Sequence, residues 1–363
     1  MKRIITSAIF CIGFICGCDV ANTNVLDDAC NIYLNADLDR EMISKAPYIG
    51  TDPSNNPFHA LVCASTISDS FPNNMGDGKG VDGQVGKHIE TTFQSKTNQL
   101  INGVYYPKPQ EGQSATPVYF VGLHPQVGWN FNSDYNEATY TFDGNDDILF
   151  AVSTQGEYPK EEETRTNPEL DFKHLLTHLK IEMIAESEAV RDAWQNITSM
   201  TIESQNQVIV DLIDGTNTIR GDQDSEMYFY RTGNDEVFPA TGGYQLDYRA
   251  SEQDNRYVDV AYTLCAPVEA TVKDPYSDAT TTEYTINLTT PSRTIKLSID
   301  LKGKDGNCFE GNTAGYQFNI RMLFRMGNII AISTGIEQWK TGGTGSGNIT
   351  EETDEYNPTT EQQ

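Results

Sequence analysis

Beyond its N-terminus the chain has no uninterrupted apolar run of about 20 residues, the length a membrane-crossing helix needs, and this excludes a helical channel or transporter. Basic residues are scarce as well: 25 Lys and Arg face 52 Asp and Glu, a net charge of −27. A surface of that sign repels phosphate backbones and anionic headgroups, so it argues against nucleic acid as a partner and against a basic membrane-binding face. Catalytic signatures are missing too. The sequence has no H-E-x-x-H, no G-x-S-x-G, no phosphate loop and no dinucleotide fingerprint between a strand and a helix. These absences favour a non-enzymatic protein without a cofactor or metal centre. Helical periodicity is nearly absent, with residues 187–196 its one short example.

What is present is ample apolar material in short pieces. Hydrophobic residues make up 37% of 363 residues, enough for more than one core, while 29 Gly and 15 Pro break the chain into many turns. Period-two alternation recurs at Ile32, Leu34, Ala36 and Leu38, at Val258, Val260, Tyr262 and Leu264, and at Tyr284, Ile286 and Leu288. It continues at Ile295, Leu297, Ile299 and Leu301, then at Tyr316, Phe318, Ile320, Met322 and Phe324. Alternation of this kind marks half-buried strands. Gly327-Asn328 between the last of these and Ile330 and Ile332 is expected to form a hairpin with a primed turn. Strands spaced by turns predict an all-β chain of two tandem sandwiches, since one sandwich takes about 100 residues. Their join is placed in the polar stretch 155–168, giving domains 18–165 and 166–340. The acidic, Gly- and Thr-rich tail 341–363 has too little to bury to offset chain entropy and is expected to stay unfolded.

Residues 1–17 read as an export signal: Lys2 and Arg3, an apolar centre over 4–15, then Cys16 and Gly17 ahead of Cys18. The ending resembles a bacterial lipobox, which makes Cys18 the expected lipid carrier; the alternative is an ordinary signal peptide cut nearby. Acyl chains would supply membrane affinity that an acidic surface cannot, at about 0.8 kcal/mol per buried methylene. Cys30, Cys63, Cys265 and Cys308 remain in the body of the chain, where export permits disulfides. Their spacing fits no zinc motif, and four cysteines leave three pairings open.

Three constellations invite a site. His174 and His178 stand four apart and, on a helix, would share a face with Asp171 and Glu182 as metal ligands do; the alternation of Leu179, Ile181 and Met183 predicts a strand instead, with the histidines in or beside a core. Asp143, Asn145 and Asp147 begin like a calcium loop, but Ile148 replaces the turn glycine and Thr154 the bidentate glutamate; this loop and the acidic loop 77–82 read better as solvated tips. Trp129, Trp194 and Trp339 would suit a glycan-binding platform, or equally a strand-rich core.

Arg40 carries a sharper implication. It is the single arginine between Cys18 and Arg165, and only Asp39 separates it from the strand ending at Leu38. An arginine-specific protease cutting between Arg40 and Glu41 would release Ile32, Leu34, Ala36 and Leu38 and uncover a template for a strand from another chain. Taken alone, the feature is equally an ordinary surface arginine after an ordinary strand.

Several local patterns decide between those readings. Val118-Tyr119-Phe120-Val121-Gly122-Leu123-His124-Pro125 leads to Trp129, followed by Asp143-Gly144-Asn145-Asp146-Asp147-Ile148. Then come Leu170-Asp171-Phe172-Lys173-His174-Leu175-Leu176 and the closing stretch 332–339 with Gly342. In this order the pieces resemble the fimbrillin family, lipoprotein subunits of type V pili in Bacteroidota-type bacteria. The resemblance implies two transthyretin-like β-sandwich domains, export as an outer-membrane surface lipoprotein, and removal of the first strand by an arginine-specific protease. A strand from a neighbouring pilus subunit would then fill the vacated groove by donor-strand exchange. It also implies Cys18 as the anchor, Arg40 and Glu41 as the processing site, and Ile32, Leu34, Ala36 and Leu38 as the plug. The hydrophilic end after Trp339 would make a poor donor strand, so a tip or base subunit, or an adhesin for a surface receptor or glycan, is expected rather than a shaft subunit.

Overall fold

A computed structural model describes residues 31–38, 58–74, 86–93, 99–159, 167–221, 226–234, 236–251, 253–269, 271–272, 280–302, 309 and 311–338. The first part of the chain forms β1 (Asn31–Leu38), β2 (Phe58–Ser65), β3 (Gly86–Phe93), β4 (Gln99–Tyr105), β5 (Val118–His124), β6 (Asn130–Phe131), β7 (Glu137–Thr141) and β8 (Leu149–Gly156). There follow β9 (Glu169–His174), β10 (Thr177–Ala185), helix α1 (Glu188–Trp194), β11 (Asn196–Ile197), β12 (Ser199–Glu203), β13 (Gln207–Asp211), β14 (Asn217–Arg220) and β15 (Glu226–Arg231). The rest comprises β16 (Val237–Phe238), β17 (Tyr244–Gln245), β18 (Val258–Cys265), β19 (Thr271–Val272), β20 (Thr280–Thr281), β21 (Glu283–Thr290), β22 (Arg293–Asp300), β23 (Tyr316–Arg325) and β24 (Asn328–Gln338). The fold is all-β with sandwich-like sheets, as the alternation predicts, and each alternating stretch named above lies in a strand, save that Leu301 falls one residue past the end of β22.

Two large sheets dominate. One runs β3-β2-β5-β8-β9-β1-β4, and its terminal strands β3 and β4 come back against each other, so the sheet curls around its own core. The other runs β22-β21-β12-β15-β18-β10-β23-β24, with β16 added beside β15. A four-stranded sheet, β14-β13-β7-β6, pairs β7 from the first part of the chain with β13 from the second. The domain limit expected at 165/166 falls between β8 and β9, which pair antiparallel as neighbours in the first sheet.

The alternation has a direct structural meaning. In β2, Phe58, Ala60, Val62 and Ala64 point into the core enclosed by the first sheet, while Leu61 and Cys63 point into the larger core shared with the second. β5 divides in the same way, with Val118 and Phe120 on one side and Val121 and Leu123 on the other. Period two thus sends successive side chains into two different cores, which explains runs that are apolar throughout.

Two local expectations sharpen against the structure. Residues 187–196 do contain the helix: Ser187 caps it, accepting a hydrogen bond from the Val190 N–H, and Val190 and Trp194 are its buried side. The final hairpin turns one residue earlier than expected, through Met326-Gly327, with Arg325 opposite Asn328. Gly327 alone of the two has positive φ, at 88°. A primed turn would require a left-handed Met326, whose Cβ makes that costly.

Candidate functional site

The first strand occupies an interior slot. β1 lies between β4, which it pairs antiparallel through Asn31, Tyr33 and Leu34, and β9, which it pairs parallel from Asn35 to Leu38. Its two halves therefore satisfy two different neighbours, and the Asn35 N–H additionally donates to the Pro168 carbonyl at 2.9 Å. Ile32 and Leu34 are fully buried and Ala36 nearly so, while Tyr33 and Asn35 between them are half-buried. Burying two such large side chains contributes roughly 1.5–3 kcal/mol each. Leu38 pairs through its backbone with Phe172, and its side chain lies outside the described residues.

Beneath the strand lies an aromatic floor. Phe58, Phe93 and Phe172 form a triad with centroids 4.8 to 6.3 Å apart, and Phe120 meets Tyr106 edge-on. Gly122 in β5 permits this arrangement: a Cβ there would sit 2.4 Å from Cζ of Phe172. A strand-interior glycine commonly marks such a close approach. The glycine, the aromatic of β9 and the buried residues of β1 belong to one packed unit.

Cys18, Arg40 and Glu41 lie outside the described residues, as do Cys30, Cys308, Trp339, the 77–82 loop and the 341–363 tail. Cys63 and Cys265 are buried free thiols. Burial pushes both up, Cys265 to about 12, so neither is an available thiolate. Trp129 and Trp194 belong to the large core. Trp129 donates its indole N–H to the Pro125 carbonyl at 2.8 Å, and Trp194 is sealed with its N–H on the Arg325 carbonyl at 2.7 Å. A glycan platform on these two rings is therefore corrected: their faces are occupied by protein, and the more exposed aromatics are Tyr135 and Tyr228.

The loop resembling a calcium loop spends its oxygens on protein groups. Tyr262 donates its hydroxyl to Asn145 Oδ1 at 2.6 Å, Tyr140 donates to Asp146 Oδ2 at 3.2 Å, and Asp143 Oδ1 accepts the Asn145 N–H. His174 ends β9 and His178 lies in β10, so the helix that would align them with Asp171 and Glu182 does not form. Two features escaped the alternation: β4 as the second wall of the slot, and a contact between His174 and Asp147 at 3.0 Å. The run from Leu100 to Tyr106, closed by Pro107, was the available signal for the wall; a pair 27 positions apart leaves none.

No family model and no curated protein matches the chain. Among solved structures it is similar to a "putative cell adhesion protein" from Bacteroides uniformis, at 14% identity and a TM-score of 0.49, over 85% of this chain and 98% of that one. A fimbrial protein from Bacteroides vulgatus is similar at 11% identity and a TM-score of 0.41, over 86% and 100%. The fimbrial anchor protein Mfa2 from Porphyromonas gingivalis is similar at 11% identity and a TM-score of 0.39, over 86% and 98%. Of these neighbours one is described as a "putative cell adhesion protein" and two as fimbrial proteins. Likenesses of this size carry no inference about activity, which leaves the chain's own strands as the ground for function.

Proposed function

We propose that the chain is a fimbrillin-like structural subunit or adhesin of a type V pilus, exported as a precursor anchored to the outer membrane through Cys18. In this reading it has two sandwich domains, 18–165 and 166–340, with β9 contributed across the join to the first sheet. The observation that carries the proposal is the position of β1: an N-terminal strand, interior to a sheet, that ends two residues before Arg40. Cleavage between Arg40 and Glu41 would convert β1 from part of the chain into a bound peptide. Its loss would bare an edge of β4, an edge of β9 and the apolar floor around Phe172, a template that a strand from another subunit can complete. Ile32, Leu34, Ala36 and Leu38 are the plug until then.

Digestion with an arginine-specific protease tests this directly. N-terminal sequencing should find Glu41, and light scattering should find oligomers whose size grows with protein concentration. Clean loss of residues before Glu41 from a chain that stays monomeric at every concentration would overturn the reading. A Cys18→Ala precursor should leave the membrane fraction for the soluble one.

A further inference from the structure

The chain contains five histidines, and three of them, His124, His174 and His178, gather around one buried carboxylate where the polypeptide passes from the first large sheet to the second. His124 ends β5 opposite Leu149, and Leu149 in turn stands opposite His174 at the end of β9. Two residues before Leu149, Asp147 reaches across to His174. Nδ1 of the imidazole donates to Oδ1 at 3.0 Å, and the two side chains are only 6% and 1% exposed. Four residues after His174, His178 is 1% exposed in β10, edge-on to the Tyr262 ring of β18. The connection between β9 and β10 is pinned as well: the Leu175 N–H donates to the Ile148 carbonyl, and the Leu176 carbonyl accepts from the Gly315 N–H.

We propose that His124, Asp147, His174 and His178 form a buried, acid-sensitive latch that holds the β9–β10 crossing between the two sheets and opens when His124 and His178 take up protons. The charge balance around it explains why. From β2 the group is faced by His59, whose carbonyl meets His124 Nδ1 at 2.6 Å; from β10 by Lys180, already committed to Asp259 of β18; and from β23 by the neutral Gln317. Asp147 already bonds His174 through Oδ1, and one carboxylate can balance no more than one added positive charge in this buried group. Burial lowers the affinity of His124 for a proton and lowers that of His178 to about 4. The sign follows. A histidine whose proton affinity is lowered by folding leaves stability intact above the ordinary value of 6.5 and removes it as the pH falls below that value, because the opened chain binds protons more readily. His124 also stacks on Phe58 at 4.9 Å, so opening would reach the aromatic floor.

Hydrogen exchange on the full chain at about pH 7 and about pH 5 tests the latch. After correction for intrinsic exchange rates, protection of amides 172–179 should fall at least about tenfold at the lower pH, the equivalent of one unit of displaced proton affinity. The ladder between β21 and β22 should keep its protection. A His124→Asn/His178→Asn variant, which cannot gain these protons, should show no such drop. Equal protection of wild-type 172–179 at both pH values, or the same drop in the variant, would overturn the proposal. Should the variant not fold, the histidine ring resonances of the wild type decide: those of His124 and His178 must titrate below the ordinary value of 6.5, and titration of both at that value would overturn the latch.

Discussion

The strands β1 and β10 hold equivalent positions in their sheets, yet in the function proposed above only β1 leaves. Each has a parallel neighbour on one side and an antiparallel neighbour on the other: β9 and β4 for β1, β23 and β18 for β10. Both send fully buried apolar side chains inward, Ile32 and Leu34 from one and Leu179, Ile181 and Met183 from the other. They differ in the length of their ladders and in connectivity. β10 pairs with β23 along 178–185, whereas β1 pairs with β9 only along 35–38. β10 is also held at its start, where Leu175 and Leu176 bond Ile148 and Gly315, and runs on to α1 soon after its end, whereas the proposed cut at Arg40 lies two residues past β1. A strand can thus be integral to packing and still be separable, provided that one peptide bond is all that holds it in the same molecule.

The comparison can be broken most forcefully by placing a charge in each strand. Ile181→Asp should abolish folding of the whole chain, because an unpaired carboxylate in the large core has no partner and cannot be ejected with its strand. Leu34→Asp should instead open the first sheet, giving early concentration-dependent association without protease while the second sheet keeps its hydrogen-exchange protection. Equal loss of both sheets in both variants would show that the strands do not differ as argued.

A milder change sharpens the same contrast. Gly122→Ala pushes against the Phe172 ring and should cost about 1–3 kcal/mol in a denaturant titration, the usual range for overpacking. It should also speed exchange of residues 32–36 more than that of residues 179–183. The smallest effect is expected at the surface of β10. Arg321 Nε lies 2.7 Å from Glu182 Oε2, but the arginine side chain is 46% exposed, so Arg321→Ala should shift stability by no more than about 1 kcal/mol.

The alternation of Ile32, Leu34 and Ala36 made β1 legible because a half-buried strand writes period two into its own sequence. The cap at Ser187 was legible for a similar reason, since the residues that start a helix are local to it. The partners of β1 were not. Nothing in residues 31–38 distinguishes an edge strand from one inserted between β4 and β9, because that depends on segments 60 to 140 positions away. The turn at Met326-Gly327 failed by one residue, where register with β23 overrode the local turn signal. The tryptophans were ambiguous in principle, as a ring suited to a sugar is equally suited to a core.

Mixed pairing around β1 has one more implication. Any substitute ribbon threaded into the vacancy, whichever way it points, meets one neighbour heading with it and one heading against it. Backbone polarity therefore gives no veto over incoming segments. Were β1 exchanged as proposed, selection would fall to the cavities of Ile32, Leu34 and Ala36, with room for bulk, bulk and then near-nothing along alternate positions of whatever arrived.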